Sequence, residues 1–257
     1  MIFAKIDEIF DKYGDDRIHE FYLCDSVWKP LSIVALYVLF VKKIGPWFMK
    51  DRQPYNVRNF VIVFDIIQIV ANFYMTYKIS TNYFTSDSWF CSDVDYSNHG
   101  IGRTQFLIVY WYYLLKISDI LDTVFFILKK NNRQISHLHI YHHSLMIIFA
   151  WMGLKFVGGG QTLSIGFANT FVHGVMYSYY LLTAINVRYK RNKAMKKFVT
   201  QIQIGQFVVL LTLGLFHLIQ PCKFPRTLLI LGICHVSYLL YLFSKFYYYE
   251  YIKTKKT

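Results

Sequence analysis

The stretch VTQIQIGQFVVLLTLGLFHLIQ, residues 199–220, is long enough for a membrane helix and contains no lysine, arginine, aspartate or glutamate. About 20 apolar residues in a helix span the hydrocarbon core of a bilayer. In hydrocarbon only helices and closed barrels satisfy their backbone polar groups. Barrel strands are shorter and alternate in polarity. The stretch therefore predicts a transmembrane helix.

Similar stretches recur along the whole chain. Of the 257 residues, 55% are hydrophobic and the mean hydropathy is +0.30, whereas soluble domains rarely exceed half apolar. The polar, acid-rich start does not resemble a cleavable signal peptide. We predict an all-α membrane protein, a single multi-pass domain over residues 1–257 with seven transmembrane helices. The predicted spans are residues 28–48, 59–79, 105–128, 139–157, 161–186, 199–220 and 226–249.

Lysine and arginine predict the orientation of these spans. Nearly twice as many of them fall on the side of the C-terminus, which the positive-inside rule makes cytosolic. The N-terminus is then lumenal. Lys253 and Lys255 fit a dilysine retrieval signal, which is read from the cytosol, so we expect an endoplasmic-reticulum membrane protein. The net charge of +13 does not indicate a nucleic-acid partner, because the basic residues cluster at helix ends.

The cysteines allow one disulfide prediction. Cys91 and Cys222 both fall on the lumenal side of the predicted topology, where disulfides form. We expect a bond that joins the loop at 80–104 to the loop before the last helix. Two free thiols are the alternative.

The third span carries charged residues in the stretch KISDILDT, residues 116–123. Ionisable groups inside a membrane are costly and mark cavities or partners. Lys116, Asp119, Asp122 and Thr123 share one arc of a helix, and Lys116 and Asp119 are close enough to neutralise each other. A charge-paired strut between helices is one interpretation. Two carboxylates beside a single lysine favour a wall that faces a substrate.

The fourth span opens with SHLHIYHHS, residues 136–144. His139, His142 and His143 follow spacings of three and four, which place them on one helix face. A lone histidine would be explained by helix packing. Three on one face of a membrane helix indicate a site.

The fifth and sixth spans carry one polar or aromatic face each, in NTFVHGVMYSYY (169–180) and TQIQIGQ (200–206). Hydrogen bonding between helices is an alternative explanation for the sixth. The side chains of these faces are Asn169, His173, Met176, Tyr177, Tyr180, Thr200, Gln203 and Gln206. If the polar faces of all four spans point at one another, they form a polar chamber that opens to the cytosol and continues as an aromatic-lined cavity. Such a chamber suits an amphiphile with a charged head.

LHIYHH (138–143), KISDILDT, NTFVHGVMYSYY and TQIQIGQ together resemble the ELO family of very-long-chain fatty-acid elongases, the 3-ketoacyl-CoA synthases of the endoplasmic reticulum. GPWFMKDRQP (45–54) and WFCSDVDYS (89–97) extend the resemblance over nearly the whole chain. Two positions depart from the family pattern. His137 replaces the usual phenylalanine, and Asp119 stands where many members have glutamate; neither change removes a catalytic group.

The resemblance implies a reaction in which an acyl-CoA and malonyl-CoA give a 3-ketoacyl-CoA two carbons longer, CO2 and CoA. It implies seven helices, the last six forming a barrel around a closed-ended tunnel. Long-chain acyl-CoA and malonyl-CoA are the expected substrates, with no bound cofactor and no metal. No reductase or dehydratase motif is present, so those steps are expected of neighbouring membrane proteins.

The resemblance also assigns roles to the polar residues. His142 would accept the acyl group as an acyl-imidazole, and His173 would position malonyl-CoA and stabilise the enolate. His139 and His143 would orient His142. Asp119 and Asp122 would fix the tautomers of the imidazoles, and Lys116 would balance charge. The remaining residues of the fifth and sixth faces would bind substrate.

Two other functions fit parts of the sequence. Membrane desaturases and hydroxylases hold two irons with several histidine boxes, and imidazole suits iron; this chain has one complete box. A receptor or lipid transporter would explain the spans but not the clustered histidines and carboxylates. The preferred acyl chain length is not readable from the sequence.

Overall fold

The computed structural model describes residues 2–84, 89–220 and 222–253, and every regular element within these ranges is helical. This confirms the prediction of an all-α protein. Short 3₁₀ and π turns accompany the α-helices. The α-helices are α1 (Ile2–Lys12), α2 (Trp28–Leu39), α3 (Gly45–Met49), α4 (Arg58–Tyr83), α5 (Gly100–Ser118), α6 (Leu121–Leu128), α7 (His137–Val157), α8 (Thr162–Ile185), α9 (Val187–Lys190), α10 (Lys193–Ile219) and α11 (Arg226–Tyr247).

Five helical segments in the described part of the chain are long and apolar enough to cross a membrane. They are Trp28–Met49, Arg58–Tyr83, His137–Val157, Lys193–Ile219 and Arg226–Ile252. The protein is therefore a multi-pass membrane protein. The third and fifth predicted spans are not among the five. The fifth corresponds to α8, which is long enough but carries the polar face expected of a site. Seven transmembrane helices remain a prediction.

The third predicted span differs from the expectation of one continuous helix at 105–128. α5 begins earlier, at Gly100, and ends at Ser118, and α6 begins at Leu121. The Ser118 hydroxyl donates to the Leu115 carbonyl oxygen at 2.7 Å. The backbone N–H groups of Ile120, Asp122 and Thr123 donate to carbonyl oxygens three positions earlier. A serine that bonds back to its own helix competes with the regular ladder and bends it. The break thus lies inside the charged stretch of the sequence.

The chain divides into two compact units, Met1–Val57 with Val94–Leu163 and Arg58–Asp93 with Ser164–Thr257. Each unit combines two separate stretches of sequence, so neither corresponds to one linear segment. The single domain over residues 1–257 remains a prediction. Of the predicted retrieval signal, Lys253 is the last described residue and Lys255 lies outside the described residues.

In the first unit an apolar core joins α2, α3 and α6. Tyr37, Val41, Met49 and Ile127 are almost fully buried there. Gly45 begins α3 directly beside α6: a Cβ atom at this position would lie 2.9 Å from Cδ1 of Ile127 and 3.1 Å from the carbonyl oxygen of Phe40. A side chain at position 45 would therefore have to displace Ile127 from its place in the core.

The Gly45→Ala protein is expected to lose about 1–3 kcal/mol of unfolding free energy, because an added methyl group in a packed core forces side chains or backbone to shift. Gly232→Ala is the matched control, since nothing lies within 4 Å of its Cβ position. In that helix interior alanine should stabilise by up to about 1 kcal/mol. Thermal unfolding of the purified proteins in one detergent measures both. Equal midpoints for the two variants would contradict the expectation.

The segment before α2 is anchored to α5 and α7 by buried polar contacts. Arg17 pairs with Asp15 at 2.6 Å, and its guanidinium donates to the carbonyl oxygens of Ser97 and Gly102, each at 2.9 Å. Trp151 of α7 donates to the carbonyl oxygen of Cys24 at 2.8 Å. Burial raises the pKa of the Cys24 thiol from 9.0 to about 12. This thiol therefore stays protonated at neutral pH.

In the second unit α4 packs on α8, and α10 on α11. The hydroxyls of Thr76 and Thr170 lie 2.8 Å apart, and the rings of Phe207 and Phe243 lie 5.0 Å apart. A disulfide joins Cys91, before α5, to Cys222, before α11, with Cα atoms 5.4 Å apart. This is the pair that the sequence analysis selected.

Candidate active site

A buried ion pair lies where α5 ends. Lys116 Nζ is 2.8 Å from Asp119 Oδ2, and the side chains are 1% and 3% exposed. The Lys116 ammonium also lies 5.2 Å from the centre of the Tyr112 ring. The neutralisation expected from their spacing is thus present, and the pair sits at the break between α5 and α6. Asp122, in the first turn of α6, is also buried.

A chain of hydrogen-bonding groups connects α2 and α6 to the histidine helix. The hydroxyl of Tyr37 lies 3.0 Å from Thr123 Oγ1, and Thr123 Oγ1 lies 2.8 Å from His139 Nε2. A hydrogen bond to one ring nitrogen of a histidine determines which tautomer the ring adopts. At His139 this group is the Thr123 hydroxyl; the role of Asp119 and Asp122 in fixing tautomers remains a prediction.

The three histidines of α7 form one cluster within the first unit. The ring centres of His139 and His143 are 4.3 Å apart, and those of His142 and His143 are 5.5 Å apart. His143 is buried, while His139 and His142 are half-buried. Ser136 caps the helix by accepting a hydrogen bond from the backbone N–H of His139 at 3.2 Å. α7 therefore starts at a fixed position and presents the three imidazoles on one face, as their spacing predicted.

The predicted residues of α8 and α10 belong to the second unit, where Met176 and Gln203 join the two helices. His173 and Tyr177 have ring centres 6.0 Å apart, and Gln203 Nε2 donates to Met176 Sδ at 3.4 Å. The Thr200 hydroxyl donates to the Lys196 carbonyl oxygen. The buried residues of this set are Asn169, His173, Met176, Tyr177, Thr200 and Gln206; Tyr180 and Gln203 are half-buried.

One buried polar stripe was missed by the sequence analysis. Asp65, Gln68 and Asn72 of α4 are each 1% exposed or less. Asn72 Nδ2 donates to the Gln68 carbonyl oxygen at 2.8 Å and to Gln68 Oε1 at 3.2 Å. Their spacing of three and four was the available signal, because it places one acid and two amides on a single face of an otherwise apolar helix.

The arrangement of the first unit suits acyl transfer. It combines half-buried imidazoles, a buried lysine–aspartate pair and a hydroxyl that contacts one imidazole. Neutral imidazole is both a nucleophile and a proton acceptor. Among the described residues, no three histidine, cysteine, aspartate or glutamate side chains are placed to hold a metal ion together.

Comparison with known proteins identifies the family. A model of the ELO family, described as the GNS1/SUR4 family, matches residues 22–257. The chain is a member of the ELO family. This ELO protein is 36% identical over 248 residues to a very long chain fatty acid elongase of Aedes aegypti, which covers 96% of this chain and 69% of that protein. It is 36% identical over 244 residues to very long chain fatty acid elongase 4 of Homo sapiens, covering 95% of this chain and 77% of the human protein. It is 35% identical over 235 residues to very long chain fatty acid elongase 5 of Xenopus laevis, covering 91% of this chain and 78% of the Xenopus protein.

Proposed function

We propose that this ELO protein is the condensing enzyme of very-long-chain fatty-acid elongation, converting an acyl-CoA and malonyl-CoA into a 3-ketoacyl-CoA, CO2 and CoA. The observation that carries the proposal is the face of α7 on which His139, His142 and His143 meet the Tyr37–Thr123 hydroxyl pair. Membership of a family whose relatives are named elongases supplies the substrate class.

The first half-reaction transfers the acyl group to His142. A ring nitrogen attacks the thioester carbon, the C–S bond breaks, and CoA leaves as a thiolate that takes a proton. The product is an acyl-imidazole, and its energy-rich bond keeps the acyl group reactive. Three of the four cysteines do not offer a better nucleophile, because Cys91 and Cys222 form the disulfide and burial keeps Cys24 protonated. The fourth, Cys234, lies on α11 rather than on the histidine helix.

The neighbouring groups would keep His142 neutral and oriented. His143 lies between the other two rings, so it orients His142 directly. The Thr123 hydroxyl fixes the tautomer of His139 in turn. Lys116, which is paired with Asp119, is assigned to charge balance. Asp119 and Asp122 are assigned, as the sequence predicted, to fixing the tautomers of the imidazoles.

The second half-reaction joins malonyl-CoA to the acyl group. Loss of CO2 leaves an enolate whose carbon attacks the acyl carbon and releases His142. We assign positioning of malonyl-CoA and stabilisation of the enolate to His173 of the second unit. The acyl chain and the CoA moieties would contact the remaining predicted residues of the α8 and α10 faces, Asn169, Met176, Tyr177, Tyr180, Thr200, Gln203 and Gln206.

The proposal includes an endoplasmic-reticulum location with a cytosolic C-terminus and lumenal N-terminus. It also includes seven membrane helices, the last six forming a barrel around the acyl tunnel. The disulfide between Cys91 and Cys222 supports this orientation, because disulfides form in the lumen and not in the cytosol. The reductases and the dehydratase of the cycle would then act as separate membrane partners.

An elongation assay without NADPH tests the proposal. Microsomes that express the protein receive labelled malonyl-CoA and a panel of saturated and unsaturated long-chain acyl-CoAs. Without reductant the cycle should stop at labelled 3-ketoacyl-CoA, and the best substrate reports the chain length. Well-expressed protein that forms no ketoacyl product with any acyl-CoA would contradict the proposal and favour a receptor or transporter.

A further inference from the structure

The first unit contains a cavity that lies beside the histidine cluster and includes none of its members. It has a volume of about 350 Å³, within the size range of small-molecule sites. The end of α2 with its π turn and α3 form one wall, and the end of α6 with the first turns of α7 forms the other.

The inner wall of this cavity is apolar. Val41, Met49 and Ile127 are 4%, 3% and 4% exposed, and Ile135 and Ile140 are half-buried. Met49 and Ile127 belong to the apolar core of the unit. The inner wall is therefore fixed by core packing, and it offers a surface for hydrocarbon.

The rim of the cavity is basic. Lys42, Lys50 and Lys130 line it and are exposed, and Lys130 Nζ donates to the Lys50 carbonyl oxygen at 3.3 Å. In the two segments that form the cavity, residues 40–57 and 126–140, the only acidic residue is Asp51. The same segments add further basic side chains, Lys43, Arg52, Lys129 and Arg133. An anion is the complementary ligand.

The surroundings of the rim are those of a membrane boundary. Trp47 is 76% exposed at the end of the Trp28–Met49 span, and exposed tryptophans at span ends lie at the headgroup level. The Arg52 guanidinium lies 4.1 Å from the centre of the Phe48 ring, so an aromatic and a basic group are in contact near the end of this span. The three lysines therefore lie where lipid phosphates are found.

We propose that this cavity binds one anionic phospholipid, with its phosphate among Lys42, Lys50 and Lys130 and the start of its acyl chains against Val41, Ile127 and Ile140. A lipid matches the apolar inner wall and the basic rim at once, because its charged head is joined directly to hydrocarbon. Basic pockets between membrane helices bind anionic headgroups in this way. The bound lipid would bridge α2 and α3 to the first turns of α7 and stabilise the first unit.

Native mass spectrometry of the purified full-length protein tests the proposal, with dioleoyl-phosphatidylglycerol as the probe and dioleoyl-phosphatidylcholine as the neutral comparison. The test variant is Lys42→Gln/Lys50→Gln/Lys130→Gln. The matched control is Lys190→Gln/Arg191→Gln/Lys193→Gln, which removes three exposed cations between α8 and α10. All six positions are exposed, so both variants should fold.

Wild type and control should bind phosphatidylglycerol equally. The test variant should bind it about a hundredfold more weakly, since each lysine beside an anionic surface contributes roughly fivefold. Its unfolding midpoint in phosphatidylcholine should equal that of wild type, while the increase caused by phosphatidylglycerol should disappear. Equal affinity in test and control variants, equal binding of the neutral lipid, or displacement of phosphatidylglycerol by stoichiometric CoA would each overturn the proposal.

Discussion

The His142→Ala protein is expected to lose condensation by at least about a thousandfold, since removal of a covalent nucleophile leaves only binding and the remaining polar groups. The fold should survive, because His142 is half-buried and its helix is capped independently at Ser136. The same assay as for wild type, labelled malonyl-CoA without NADPH, measures the rate of ketoacyl-CoA formation.

A second measurement separates the nucleophile from an orienting residue. Wild-type protein incubated with acyl-CoA alone should release CoA in one stoichiometric burst and gain the mass of one acyl group. The adduct should map to the peptide that contains residues 137–143, and hydroxylamine should remove it. His142→Ala should show neither the burst nor the adduct.

His137→Ala is the matched control for this experiment. His137 is also an α7 histidine, but it is exposed, and its ring centre lies 6.0 Å from that of Tyr141 rather than in the cluster. This variant should keep both the burst and near-normal turnover. An acyl adduct that persists in His142→Ala would move the nucleophile to His139, His143 or His173. Near-normal turnover of His142→Ala would remove His142 as the nucleophile, and near-normal turnover without any acyl adduct would remove the covalent mechanism.

The membrane spans and the side-chain pairs within one helix were predictable from the sequence. Long apolar stretches with few charged residues gave five spans that the structure contains, because a helix in hydrocarbon has few alternatives. The spacing of the α7 histidines placed them on one face, and Lys116 and Asp119 were paired correctly, because both inferences use only local helix geometry.

Features that depend on tertiary contacts or on a single local bond were not predictable. In the sequence, Tyr37 cannot be distinguished from the other aromatic residues of its apolar span. Its hydroxyl meets Thr123 only when α2 lies beside α6. The break after Ser118 was not predictable, because a serine that bonds back to its own helix also occurs inside α4, where Ser80 donates to the Tyr77 carbonyl oxygen without a break. Asp65, Gln68 and Asn72 were overlooked because a weak polar stripe is masked by the long apolar helix that carries it.

Separate removal of Lys116 or Asp119 is expected to destabilise the protein severely. Each member is almost fully buried, and loss of one partner leaves the other charge uncompensated, at a cost of about 3–5 kcal/mol. Lys116→Met and Asp119→Leu should therefore each lower the unfolding midpoint by roughly 6–20 °C. Thermal unfolding of the purified variants in one detergent gives the comparison.

The pair Lys196–Glu250 is the matched control. Its charges are 2.7 Å apart, but the side chains are 43% and 31% exposed. A solvated pair contributes about 1 kcal/mol or less, so Lys196→Met should shift the midpoint only slightly. An equal loss in Lys116→Met and Lys196→Met would contradict the role of burial.

The double variant Lys116→Met/Asp119→Leu distinguishes a strut from a catalytic wall. Replacement of a whole buried pair by apolar residues of similar size is often neutral for stability, so the double variant should recover most of the midpoint lost by either single change. A strut would then leave condensation intact. We expect instead a stable protein whose condensation is about a hundredfold slower, because the pair lies at the break directly before α6, the helix whose Thr123 contacts His139. Recovery of stability and activity together would assign the pair to helix packing alone and leave Asp122 as the remaining charged group of the proposed mechanism.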